Sequence, residues 1–392
     1  KQLIPWGTQT GAKDPAIFAE YMGVCPLYFE RGKGSHVWDI DGNEYIDYRA
    51  SLGPIILGYA YEPVDRAVKD RIDNGIIFSM ASTLELELAK RIVDIIPCAE
   101  MVRFMKPGGD ANSAAVRLAR AYTGKEKILK CGYHGWHDTF IAAEKAENKG
   151  IPAILSDYVT SFPYNDIDCA RDLIIKNADE LACIVINPCP YQLPEKNFLS
   201  ELKELAHKHN ILLIFDEVKT GFRLSLGGAQ EFFGVEPDLA VFSKAMANGY
   251  PISAFTGKRH IMSILDQNKQ GTHFIPISTT FAGETASIAA AIATIDVMRN
   301  KDVHLHLGKA GRMLMNGMQS IFNEFSMEVE IEGVPSMFRT KIKGSEALNT
   351  TFISELLKNG IFTLGAWEVS YSHSEEDIAN TLQIIRDILR VM

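Results

Sequence analysis

Long apolar runs, basic tracts and cysteine are what this 392-residue chain has least of, and each shortage closes off a class of function. No stretch approaches the ~18 apolar residues of a membrane span, so no spanning segment is expected. Acidic residues (49) outnumber basic ones (40), for a net charge of −9, and no basic run offsets that balance. Nucleic acid and anionic membrane are therefore not expected partners. The six cysteines (Cys25, Cys98, Cys131, Cys169, Cys183 and Cys189) are too few and scattered for a disulfide framework. Reduced thiols in the cytoplasm are the expectation, and Lys1-Gln-Leu-Ile-Pro-Trp6 holds no apolar signal core. There is no internal repeat, low-complexity tract or long linker.

What is present is an ordinary globular composition, 46% apolar and 23% charged, on a chain long enough for two domains. Through the middle, strand-like apolar runs alternate with helix-like segments. Val102–Met105, Lys127–Lys130, Cys183–Ile186, Ile211–Phe215 and Leu239–Phe242 read as strands; Ala111–Tyr122 and Phe198–His209 read as helices. Runs without polar alternation are buried on both faces, which predicts a mostly parallel sheet covered by helices. Near the start, His36 to Asp47 alternates around Asp41-Gly42-Asn43, a hairpin signal. From Ala286 to Arg299 a long helix leads into a mixed α+β tail ending in the helix Glu375–Met392. The expected organisation is α/β: a large domain over 56–285, with 1–55 and 286–392 joining into a smaller α+β one.

Two positions carry the chemistry. Asp216 ends the apolar run Ile211-Leu-Leu-Ile-Phe215, and Lys244 follows Leu239-Ala-Val-Phe242 by two residues. A carboxylate at one strand end and an amine at another are what a pyridoxal 5'-phosphate enzyme needs: the amine bonds the cofactor aldehyde, and the carboxylate keeps the pyridine nitrogen protonated. A lysine after a strand is ordinarily only a solvated charge, and Asp216 alone could merely cap a turn. Lys106-Pro-Gly-Gly-Asp-Ala-Asn112 lies between a strand and a helix, and Gly108 and Gly109 there would let backbone amides approach a phosphate. Asp110 would repel a phosphate in direct contact, so it is expected to cap the helix or point away. Tyr133 in Cys131-Gly-Tyr-His-Gly-Trp-His-Asp138 could stack on a pyridine ring; Cys131, His134 and His137 could also suggest a metal, though nothing downstream completes a set at zinc spacing. Thr279-Thr280-Phe-Ala-Gly283 offers hydroxyls for a phosphate, or simply for the next helix.

In this order and spacing the segments resemble the class III pyridoxal-phosphate aminotransferases, and within them glutamate-1-semialdehyde aminomutase and its relatives. The resemblance runs from Lys33-Gly-Ser-His-Val-Trp-Asp-Ile-Asp-Gly-Asn-Glu-Tyr-Ile-Asp-Tyr48 and Gly53-Pro-Ile-Ile-Leu-Gly58 through Val116-Arg-Leu-Ala-Arg-Ala-Tyr-Thr-Gly124, Tyr133-His-Gly-Trp-His-Asp138 and Asp216-Glu-Val-Lys-Thr-Gly-Phe-Arg223 to His373-Ser-Glu-Glu-Asp-Ile378. It implies the aspartate-aminotransferase-like fold (fold type I), with Lys244 as the Schiff-base lysine and Asp216 paired with the pyridinium. It further implies that Val218 and Tyr133 pack on the ring, that Gly108 and Gly109 hold the phosphate, and that Thr280 reaches the phosphate of a neighbouring subunit in a homodimer with shared active sites.

The same resemblance marks departures on the substrate side. Thr10 and Lys13 stand where the aminomutase pattern has Ser and Arg, and Lys lacks the bidentate fork. Leu52 replaces a pocket tryptophan, Pro107-Gly-Gly-Asp-Ala111 loses two hydroxyls of the usual phosphate loop, and Asn187 stands for a glutamate; Glu368 matches the gating glutamate. The implied activity is transfer of an amino group from an amino-acid donor such as glutamate to an aldehyde or ketone, with a sugar- or polyol-derived acceptor as the candidate class. Intramolecular aminomutase action is the alternative, and a non-catalytic cofactor-binding protein a remote one.

Overall fold

The structure, a computed structural model, describes residues 2–14, 21, 23–144, 149–266 and 275–392. They form two compact units: residues 62–304, and residues 1–61 together with 305–392. The larger unit is built on a seven-stranded sheet in the order Met101–Met105, Ser253–Gly257, Leu239–Phe242, Leu212–Glu217, Leu181–Ile186, Lys127–Cys131, Val159–Ser161. Ser253–Gly257 is antiparallel to both neighbours, and the pairings from Leu239–Phe242 to Val159–Ser161 are all parallel. The central strands Leu181–Ile186, Leu212–Glu217 and Leu239–Phe242 are buried at every residue. Their branched and aromatic side chains leave water on both faces, each worth about 1.5–3 kcal/mol against exposure.

The helix Gly108–Thr123 lies against this sheet through Ala111, Ala115, Leu118 and Ala119 and stops at Gly124, whose left-handed φ of 69° suits a residue without Cβ. Tyr122, near the end of this helix, is 40% exposed, with its ring edge on His260. The helix Thr285–Asn300, put in the C-terminal part by a boundary at 285/286, packs inside the larger unit against Glu62–Ile72 and Thr83–Ile95. Ten of its side chains are buried, because Ala, Ile and Ser occupy almost every turn.

In the smaller unit, His36–Asp39 pairs antiparallel with Glu44–Asp47. The turn between them is tied by Asp39 Oδ1, which accepts the backbone N–H groups of Asp41 and Asn43. Ile361–Phe362 adds to Glu44–Asp47 as a parallel neighbour, so the two ends of the chain share one sheet. A second sheet joins Val329–Val334, Met337–Ile342 and Ala366–Glu368 around the fully buried Trp367, which stacks on Phe338 and donates to Thr340 Oγ1. The last helix, Glu375–Val391, begins with a capping box between Ser374 and Asp377.

Candidate active site

Parallel strands send their following loops off one edge of a sheet, and in this sheet the loops carry most of the residues singled out above. Asp216 pairs across the ladder with Val241, and Glu217 with Phe242, so Lys244 and Val218 leave neighbouring strands at the same end. Tyr133 follows Lys127–Cys131 at that edge by two residues. Gly108 opens the helix after Met101–Met105, and Ser253 Oγ pins the loop by donating to Pro107 O at 2.9 Å. A Cβ placed on Gly108 would lie 2.7 Å from Val218 Cγ2 and 3.5 Å from Ser243 Cβ. The glycine backbone, Val218 and the residue before Lys244 are thus in immediate contact, and no larger residue fits at position 108.

Asp216 is buried, and three donors converge on it. His134 Nδ1 lies 2.7 Å and Asn112 Nδ2 2.9 Å from Oδ2, while the Val218 backbone N–H donates to Oδ1 at 3.0 Å. Three donors fix the orientation of this carboxylate, which suits it to face a cationic ring nitrogen. Asn112 Nδ2 also reaches His134 O at 3.2 Å, tying the loop to the helix. The side-chain atoms His134 Nε2 and Asn112 Oδ1 are buried with no hydrogen-bond partner among the described residues. Lys244 itself sits at φ 40°, left-handed, where a long side chain is strained; such outliers cluster at functional sites. Asn248 closes the same turn at φ 46°.

His134 and Asn112 are the residues that sequence reasoning missed. His134 entered only as a metal ligand, and Asn112 only as a helix residue. The structure separates the suggested metal set: His134 turns to Asp216, His137 to Asp110 and Ser113, and Cys131 is buried, with its thiol pushed up to about 12 by that burial. Among the described residues no group of three or more His, Cys, Asp or Glu could hold a metal ion. The Asp110 carboxylate is engaged by His137, and Pro107 stands at the helix N-cap with no side-chain cap bond.

Tyr133 is 69% exposed, and so is much of Trp136. Thr280 is exposed beside an open cleft of about 730 Å3, whose walls include Asp110, Ser113, Arg117, His137 and Thr279. Glu217, which follows Asp216, is fully buried and pushed up to about 7 by burial; it accepts from the Gln230 backbone and side chain and from Thr220. That set of bonds locks the turn below Asp216.

The expected substrate residues lie in the smaller unit. Lys13 Nζ donates to Ser51 Oγ at 3.5 Å, and Thr10 precedes the short turn that carries Lys13. Ala50, Ser51 and Leu52 hold φ values of 44°, 54° and 73° before Gly53. Three consecutive non-glycine residues in the left-handed region cost about 1–3 kcal/mol each. The buried Asp47 carboxylate holds the start of that turn, accepting from the Arg49 and Ala50 backbone and from Tyr59 Oη. Burial pushes Asp47 up to about 6 against those bonds, and Glu368 adds like charge nearby. Glu368 is buried, and its backbone N–H donates to Tyr48 O at 2.7 Å.

Comparison with known proteins covers almost the whole chain. The family model described as "Aminotransferase class-III" matches residues 17–389. A 3-aminobutyryl-CoA aminotransferase of Cloacimonas acidaminovorans is 38% identical over 99% of this chain and 94% of its own length. A glutamate-1-semialdehyde 2,1-aminomutase of Methanobrevibacter smithii is 36% identical over 100% of this chain and 96% of its own. Among solved structures, a PLP form of the FumI protein of Sphingopyxis sp. MTA144 superposes with a TM-score of 0.90 at 25% identity, covering 100% of this chain and 94% of that one. The architecture is fold type I, and the cofactor is pyridoxal 5'-phosphate. This chain therefore belongs to the class III aminotransferases, a family of pyridoxal-phosphate-dependent enzymes.

Proposed function

We propose that this enzyme is a transaminase that exchanges an amino group between an amino acid, glutamate foremost, and an aldehyde or ketone whose carbonyl is not alpha to a carboxylate. The observation that carries this reading is the three-donor Asp216 beside the left-handed Lys244, combined with an altered substrate side. When bound, the cofactor supplies an electron sink for the substrate carbon. Lys244 Nζ is the amine that would hold the cofactor aldehyde, and as a free amine it would move the proton at the reacting carbon. Asp216 would face the ring nitrogen, Val218 and Tyr133 would hold the ring, and the amides of Gly108 and Gly109 would hold the phosphate at the helix start. By the family resemblance, Lys13 would give the substrate one cation, Leu52 would be a smaller side chain than the tryptophan it replaces, and Glu368 would be the gating carboxylate.

A sugar- or polyol-derived acceptor is the reading that the replacements at Lys13 and Leu52 favour. A 3-oxoacyl thioester is the second reading for the acceptor, favoured by the name of the Cloacimonas relative. Aminomutase action is the competing reading, favoured by the Methanobrevibacter relative. These separate in one experiment. The holoenzyme mixed with L-glutamate is expected to release 2-oxoglutarate in proportion to active sites and to lose its absorbance near the violet edge. Efficient conversion of glutamate semialdehyde to 5-aminolevulinate, with no response to glutamate, would reverse the assignment. Acceptors are then ranked by ping-pong kinetics on polyol-derived aldehydes and ketones, 3-oxoacyl thioesters and the semialdehyde.

The same proposal includes a homodimer with shared sites and a cytoplasmic setting. Support for the dimer is an exposed apolar set, Ile77, Phe78, Met80 and Phe281. Its two stretches are joined where the Thr285 N–H donates to Ile76 O at 2.7 Å. A monomer rarely exposes such a patch without use, and Thr280 lies beside it. Support for the compartment is that no disulfide joins any of the six cysteines. Light scattering is expected to give twice the chain mass; a single-chain mass with full activity would sink the shared site.

A further inference from the structure

The phosphate loop contains an electrostatic conflict. Pro107 and Gly109 offer no hydroxyl, while Asp110 places a carboxylate on the first turn of the helix that is to hold a dianion. Lys106, the lysine of the loop, is engaged by Glu284 at 2.9 Å. Glu284 in turn caps the helix Thr285–Asn300.

The residue that answers Asp110 is His137. Its Nε2 lies 3.3 Å from Asp110 Oδ1, and its Nδ1 lies 2.6 Å from Ser113 Oγ, one helical turn beyond Asp110. Both ring nitrogens are thus held, and Trp136 stands edge-on at 4.9 Å between ring centres. A Cβ placed on Gly109 would meet His137 Cε1 at 3.6 Å and Nε2 at 3.8 Å, so the imidazole sits over the second loop glycine. The approach depends on backbone. A Cβ on Gly135 would come within 2.9 Å of Gly109 Cα, and Gly135 has a left-handed φ of 111°. Arg117 and Asp138 are the other charged groups lining the same cleft.

We propose that His137 is a positioning residue for the cofactor phosphate: held between Asp110 and Ser113, it takes up the Asp110 charge and allows an acidic loop to bind a phosphate dianion. This rests on the assignment of the phosphate to Gly108 and Gly109. Without His137, the Asp110 carboxylate is released to face the phosphate directly, and like charges at such range oppose binding. The loss should be specific to the phosphate, since the ring is held by other residues.

The test is equilibrium binding of pyridoxal phosphate and of pyridoxal, which lacks the phosphate, to wild type, His137→Gln, Asp110→Asn and the double variant. His137→Gln is expected to weaken pyridoxal phosphate by about tenfold, the scale of a lost charge-assisted contact, and to leave pyridoxal within about twofold. Adding Asp110→Asn is expected to restore most of that affinity, a strongly non-additive cycle. Equal losses for both ligands, or additive effects, overturn the proposal. Should His137→Gln not fold, Asp110→Asn alone decides: it must bind pyridoxal phosphate at least as tightly as wild type, and a phosphate-specific loss overturns the proposal. A wild type that binds pyridoxal as tightly as pyridoxal phosphate would sink the phosphate assignment itself.

Discussion

Lys244→Gly is expected to abolish turnover while leaving the protein folded and slightly more stable. At φ 40° the lysine pays for a left-handed backbone that glycine adopts freely, so the substitution relieves strain worth roughly 1 kcal/mol. Stability gained at the cost of activity is the mark of a residue placed for chemistry rather than packing. Loss of proton transfer alone costs about 10²–10⁴-fold, and loss of the covalent anchor adds to it. Spectra of the variant should lack the violet-edge absorbance. In wild type, borohydride should fix the cofactor on one peptide containing Lys244. Fixation on a different lysine would overturn the assignment, as would a Lys244→Gly variant that retains turnover.

Much of this site is legible in the sequence because burial leaves a plain signature. Leu181–Ile186, Leu212–Phe215 and Leu239–Phe242 are uninterrupted apolar runs, and the ends of the last two mark Asp216 and Lys244 directly. Ser253–Gly257 escaped notice because Ser-Ala-Phe-Thr-Gly has neither a long apolar run nor alternation; ladder bonds to two neighbours make it a strand. The partners of Asp216 escaped for another reason. His134 is 82 residues away and Asn112 is 104 away, and no local pattern reports a bond of that span. The available signal was chemical: a buried carboxylate demands donors, and a histidine beside Tyr133 and an asparagine in the first turns of the helix were candidates. The strained run Ala50-Ser51-Leu52 was equally invisible, since none of these residues favours a left-handed backbone.

The donor set around Asp216 sharpens what Asp216→Asn should do. The carboxylate accepts on both oxygens: Oδ2 from His134 and Asn112, Oδ1 from Val218. An amide has only one accepting oxygen. If that oxygen faces His134 and Asn112, the new NH2 group opposes the Val218 N–H; if it faces Val218, the NH2 opposes the other two donors. Either orientation leaves at least one buried donor unpaired, at about 1–3 kcal/mol of stability. The larger effect is on chemistry. Without a negative charge the ring nitrogen loses its reason to hold a proton, the electron sink weakens, and turnover should fall by about 10² or more. Asn112→Ala separates the two effects, since it removes one donor and keeps the charge. Its stability loss should be comparable to that of Asp216→Asn, and its loss of turnover far smaller. Measured at saturating cofactor, similar turnover for the two variants would show that orientation rather than charge is what Asp216 supplies. Near wild-type turnover in Asp216→Asn would remove it from the catalytic machinery.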